Sequence, residues 1–180
     1  MAIAIVGLSP SQHDAPWDDP EWEKWSLPWG ERWAECHRLF EMHQLELFRQ
    51  IPCRPQNYED KLKEIDVPLY MQEAYAEFPC IRYPFEEVKK THGIWNSSPD
   101  YMLALAIHEG HTKIGIWGID MKAQEEYFHQ RPNFERLIGI AEGKGIEVII
   151  PDNCPIGKFD PKDKFGNVTI EYKERYGKWL

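Results

Sequence analysis

The chain has 180 residues, 42% of them hydrophobic, 28% charged, with a net charge of −9. That length suits one domain with a real core. The acidic balance argues against a nucleic-acid polymer as partner, since such binding needs a basic face. No segment approaches the ~20 apolar residues of a membrane helix.

Residues 2–6 (AIAIV) read as a strand buried on both faces, closed by Gly7. Residues 8–20 hold prolines, serines and aspartates and read as a loop. Short strands are expected at 22–27 and 38–43, then helices at 45–50 and 58–65. A strand is expected at 68–72. Pro84 opens a helix with Phe85, Val88 and Lys89 on its near face, ending by Gly93. Of the 8 Trp, 8 Tyr and 8 Phe, the tryptophans crowd the first third of the chain, at Trp17, Trp22, Trp25, Trp29 and Trp33. Most read as packing units, and a few as a stacking wall.

The second half has the clearest pattern. Asn96-Ser97-Ser98-Pro99 is a helix start, with cap residues followed by proline. The helix covers 100–109 and is nearly apolar. A strand follows at 113–117, leading into Gly118-Ile119-Asp120. A polar, lid-like stretch then carries Tyr127, His129, Gln130 and Arg131. A long helix is expected within 125–142, split or started by Pro132. The last strand covers 146–150.

This alternation predicts an α/β fold: a single Rossmann-like three-layer domain over 1–157, with a mainly parallel sheet, and a C-terminal arm over 158–180. The arm would pack on the domain or on a partner subunit, so a homo-oligomer is compatible with it. Ligands of such sheets sit at the carboxyl ends of the strands. Three loops, 7–11, 118–120 and 151–154, should meet there, joined by the helix start at 96–98.

Gly7 allows a sharp turn, and Ser9, Pro10 and Ser11 make a small, hydroxyl-bearing loop suited to a phosphate or equally to a plain turn. The helix start at Asn96, Ser97 and Ser98 offers N–H groups and hydroxyls at a positive helix end. Arg131 suits an anion, and His129 suits general acid–base work. Trp29 is placed to pack a base. His108-Glu109-Gly110-His111 lacks the spacing of a one-face zinc site, so no metal and no other cofactor is expected. His43, beside Glu41, reads as a hydrogen-bonded histidine. Cys36, Cys53, Cys80 and Cys154 form no CxxC and read as free thiols in a reducing compartment. The N-terminus has no signal-peptide pattern, which points to the cytoplasm.

Together, "IVGLSPS", "NSSPDYMLALAIHEGHTKIGIWGID" and "IEVIIPDNCPI" resemble the small Rossmann-like bacterial sialyltransferases. They also look like the related pterin-pyrophosphokinase-like and motility-accessory proteins, and like small phage-encoded proteins. The resemblance covers residues 2–12 and 96–156. It implies a nucleotide loop at Gly7, Ser9, Pro10 and Ser11, a nucleotide contact at Ser97 and Ser98, and an acidic turn at Gly118–Asp120. It puts His129 near the family's catalytic histidine. The sialyltransferases are longer and carry a lid with paired tyrosines, where this chain has only Tyr127. The implied ligand is a nucleotide-type small molecule, handled by a nucleotide-sugar-dependent transferase. The other reading is a non-catalytic module that sequesters a nucleotide-derived signal, as phage anti-defence proteins do. Under either, Ser11→Ala is expected to weaken nucleotide binding with little change in melting temperature.

Overall fold

In the computed structural model, residues 1–50, 57–93, 95–121 and 125–158 are described, without the side chains of Phe48, Thr91, His92 and 125–128. The strands are β1 (Ala2–Val6), β2 (Trp22–Ser26), β3 (Arg38–Glu41), β4 (Leu69–Met71), β5 (Cys80–Arg82), β6 (Lys113–Trp117) and β7 (Glu147–Ile149). The helices are α1 (Leu45–Phe48), α2 (Tyr58–Lys63), α3 (Phe85–His92), α4 (Ser98–His108) and α5 (Glu125–Gly143). All strands join one sheet in the order β5-β4-β3-β2-β1-β6-β7, and every neighbouring pair is parallel. The arm from 159 onward lies outside the described residues, as does Cys53.

Alternation along the strands builds two cores. Ile3, Ile5, Phe40, Ile114 and Ile116 face α3, α4 and α5, meeting Val88, Met102, Leu105, Phe134 and Leu137. Ala4, Val6, Leu39, Leu69, Met71 and Trp117 face the other way, onto Trp17, Tyr58, Leu62 and Ile65. The result is the expected three-layer α/β architecture.

The second layer is unusual in its first part. The connections from β1 to β2 and from β2 to β3 contain only 3-10 turns, at Pro10–Asp14 and Trp33–Glu35. Where a crossover helix would cover the sheet, Trp17 is buried against it, near the strand residue Trp22, and Trp29 and Trp33 pack partly on it. Flat, large side chains bury much area from a short piece of backbone. The tryptophan count of the first third follows from that packing.

Two local expectations need correction, and one strand has no counterpart among them. β5 has no apolar run or alternation, and Ile81 and Arg82 are exposed on this edge strand, so the sequence carries no signal for it. Pro132 neither splits nor starts α5; it sits inside the helix. Proline removes one ladder bond, a cost of about 3 kcal/mol, while burial of Phe134, Leu137, Ile138 and Ala141 carries the helix through. Lys89 is exposed rather than on the packed face of α3.

Gly115 marks the tightest point of the second core. A Cβ there would lie 2.1 Å from the Trp117 ring and 3.0 Å from Trp22. Those rings meet edge to face at 5.3 Å. Gly115→Ala is therefore expected to destabilise by about 1–3 kcal/mol and lower Tm by several degrees. Adding Trp117→Phe should restore part of that loss, measured by thermal denaturation of the single and double variants.

Candidate functional site

The chain steps outward from β1 to β5 on one side, then returns to place β6 on the other side of β1. The β1/β6 boundary is thus the switch point, where connections leave in opposite directions.

Two glycines bring the loops together there. The Gly7 N–H donates to Trp117 O at 2.8 Å and the Ser9 N–H to Gly118 O at 2.9 Å. A Cβ on Gly7 would lie 2.3 Å from Gly118 O, and one on Gly118 would lie 2.7 Å from Gly7 O. Gly118 also takes φ +66°, a region that favours glycine. No other residue type fits either place.

The serines lock this contact. Ser11 Oγ accepts from the Gly118 N–H at 2.8 Å and donates to Asp120 Oδ1 at 3.2 Å. Ser9 Oγ accepts from the Asp120 N–H at 3.4 Å. Pro10 is exposed at the start of the 3-10 turn. The β7 loop closes the cluster: Cys154 Sγ donates to Ile119 O, and Asn153 Nδ2 donates to Asp14 at 2.6 Å. Burial pushes the Cys154 thiol up. The three loops expected to meet do meet.

The helix start reaches the same edge, since the far end of α4 leads into β6. Ser97 caps α4 with a full capping box. The Asp100 N–H donates to Ser97 Oγ, and Asp100 Oδ2 accepts from the Ser97 N–H, the Asn96 N–H and Asn133 Nδ2. An internal carboxylate therefore occupies much of the positive helix end that was expected to await a ligand anion. The hydroxyl and N–H of Ser98 are not used by the box. Asn96 Nδ2 donates to the backbone oxygen of His129 at 3.0 Å, which joins this start to α5.

The stretch carrying His129 and Arg131 is helical, not a loop. His129 is exposed on α5. Arg131 bonds Glu135 at 2.8 Å and the carbonyls of Pro155 and Lys158. It holds the β7 loop onto α5, with its charge balanced internally. The Tyr127 side chain lies outside the described residues. His111 stacks edge-on against Trp25 and bonds Glu109 at the opposite, amino edge of the sheet.

One strand further along, the loop after β2 forms a pocket of about 260 Å³ lined by Pro28, Trp29, Gly30, Glu31, Trp33, Tyr58 and Lys61. Behind it, buried Glu41 accepts from Tyr58 Oη at 2.6 Å and contacts His43 Nδ1 at 2.5 Å. The expected His43 hydrogen bond is present, on a ring that is half exposed. Trp29 is the one pocket residue singled out from sequence. Trp33, four residues on, was the available signal for the rest.

No family model matches the sequence, and no curated protein matches it. Solved structures do match in fold. The sialyltransferase CstII from Campylobacter jejuni, in complex with the substrate analogue CMP-3FNeuAc, superposes with a TM-score of 0.54 at 15% identity, over 86% of this chain and 81% of that one. The sialyltransferase CST-II with a trisaccharide acceptor and CMP gives 0.53 at 14%, over 86% and 82%. At such identity the likeness is one of fold. Among the described residues no helix is long and apolar enough to cross a membrane.

Two outcomes follow from the geometry. Ser11 is 2% exposed and bonded on both sides, so the expectation that its removal leaves Tm unchanged does not fit. Ser11→Ala strands the Gly118 N–H, and a loss of about 1–3 kcal/mol should appear as a lower Tm. Asp100 is fully buried, and burial raises its pKa against the hydrogen bonds that lower it. A carboxyl raised in the folded state binds protons more tightly there than when unfolded. Its contribution to stability is therefore largest at low pH and falls as pH rises from the ordinary Asp range through the folded value. The Tm of Asp100→Asn, minus that of the parent, should rise with pH across that window.

Proposed function

We propose that this chain binds a nucleotide-sugar at the carboxyl edge of its sheet and transfers the sugar to an acceptor, as a small glycosyltransferase-like enzyme. The observation that carries this reading is the Gly7–Gly118 contact at the β1/β6 switch point. Sheets of this type hold ligands there. The fold shared with a sialyltransferase solved with CMP ligands supports the class of nucleotide.

In this reading Gly7, Ser9 and Pro10 form one rim of the crevice, and Gly118 and Asp120 the other. Asp120 spends one carboxylate oxygen on Ser11, and the second accepts from a ribose or sugar hydroxyl. Ser98 contacts phosphate, while Asn96, its N–H and amide engaged by Asp100 and the His129 carbonyl, ties the helix start to α5. Ser11, Ser97 and Arg131 act one step back, fixing the loops and helix that make the contacts. His129 serves as the acid or base, the work an imidazole side chain does most often in enzymes.

The test is a thermal-shift series with CMP, UMP, AMP and a CMP-linked sugar, with the nucleotide fraction recovered for mass spectrometry. Binding stabilises the fold by linkage, by about 2.7 kcal/mol at a hundredfold excess over Kd, and so raises Tm. The CMP-sugar is expected to give the largest shift and to return cleaved when acceptor glycans are present. His129→Ala should keep the shift and lose the product. A nucleotide that binds yet returns intact with every acceptor would mean binding without transfer. No shift with any of them would overturn the reading.

A further inference from the structure

The pocket after β2 is lined by none of the residues placed at the β1/β6 rims and has a different chemistry. Trp29, Trp33 and Tyr58 supply three aromatic side chains, with Glu31 and Lys61 among the other lining residues. The Trp29 and Tyr58 rings stand 6.2 Å apart at 57°, so they are tilted rather than stacked on each other. Tyr58 is held in place by its hydrogen bond to buried Glu41. This wall is pre-organised, which lowers the cost of binding.

The lining carries one acid and one base of opposite sign, so it favours a ligand with no net charge. Such a ligand must present hydroxyls that donate to a carboxylate and accept from an ammonium. It must also present flat apolar faces to aromatic rings. The volume fits one ring. We infer that this pocket is a second binding site, and that it takes the uncharged ring of a sugar. A phosphate or a sugar acid would meet Glu31.

The pocket adjoins the nucleotide loop. An ideal Cβ on Gly30 would lie 3.5 Å from the Leu8 side chain, in the loop after β1. A sugar held there lies beside the crevice, not in it. The inference does not depend on the transferase reading, because sugar binding is measurable without any nucleotide.

The test uses the full chain and the methyl glycosides of glucose, galactose and N-acetylglucosamine, followed by tryptophan fluorescence and saturation-transfer NMR. At least one glycoside is expected to bind saturably. Trp33→Ala should weaken it by about tenfold or more. Lys61→Met, a change on a partly exposed helix position, should weaken it without altering the circular dichroism spectrum. Ser98→Ala, in the crevice, should leave it unchanged. If Trp33→Ala fails to fold, Lys61→Met and Glu31→Gln decide the matter by the same loss of affinity. Failure of all three glycosides to saturate would overturn the inference. So would quenching by cytidine or uridine that no glycoside displaces, since the pocket would then be a base-stacking site. Failure of the glycosides leaves the thermal shifts with nucleotides untouched, and a base stacked in this pocket is told apart from one at the β1/β6 rims because Trp33→Ala removes the first shift and Ser98→Ala the second.

Discussion

A backbone contact between Gly7 and Gly118 sets the geometry of the carboxyl edge. Each glycine would drive a side chain into the other's carbonyl. With no Cβ on either, two loops that leave β1 and β6 touch main chain to main chain. The Ser9 and Ser11 hydroxyls can then reach across, and Asp120 is pinned with one oxygen engaged. The β7 loop docks onto the same turn through Cys154. Polar groups that look like ligand contacts in the sequence are thus largely spent on holding the two loops together in one shape.

The sheet reaches seven parallel strands with little helix on one face. Parallel pairs need a crossover, and here two crossovers are made by tryptophan-rich loops. Trp17 is buried there and donates its indole N–H to Gln12 O at 2.9 Å, satisfying its polar atom locally. Arg32 stacks over that ring at 4.7 Å. The same economy places Trp29 and Trp33 at the end of β2, where they line a pocket instead of filling the core completely. One set of side chains here both packs on the sheet and lines the pocket.

Charge is managed inside the domain in a similar way. The α4 start would attract an anion, and Asp100 supplies one from the chain itself, bound by three donors. Arg131 would attract a phosphate, and Glu135 with two carbonyls satisfies it. At the far edge, Arg38 lies between Glu23 and Glu109 and over Trp25. Buried or half-buried charges persist when paired, since leaving one alone is costly. The Ser98 hydroxyl and the outer oxygen of Asp120 take no part in these pairings.

The sequence by itself determined the fold class, the strands β1, β6 and β7, the α4 start and the meeting of three loops. Those features rest on local rules: apolar runs, glycine after a strand, a cap before proline. It also determined that Gly7 and Gly118 close their strands. Only the tertiary structure decided that they touch, because the contact joins positions far apart in the chain. The short edge strand β5 was illegible because pairing with β4, not its own pattern, makes it a strand. The helix through Pro132 was illegible because packing outweighs one missing hydrogen bond. The fates of Ser11, Arg131 and Asp100 were decided in three dimensions too. A side chain's chemistry is written in its type, but whether that chemistry faces a ligand or a neighbour depends on which groups folding brings within hydrogen-bond reach.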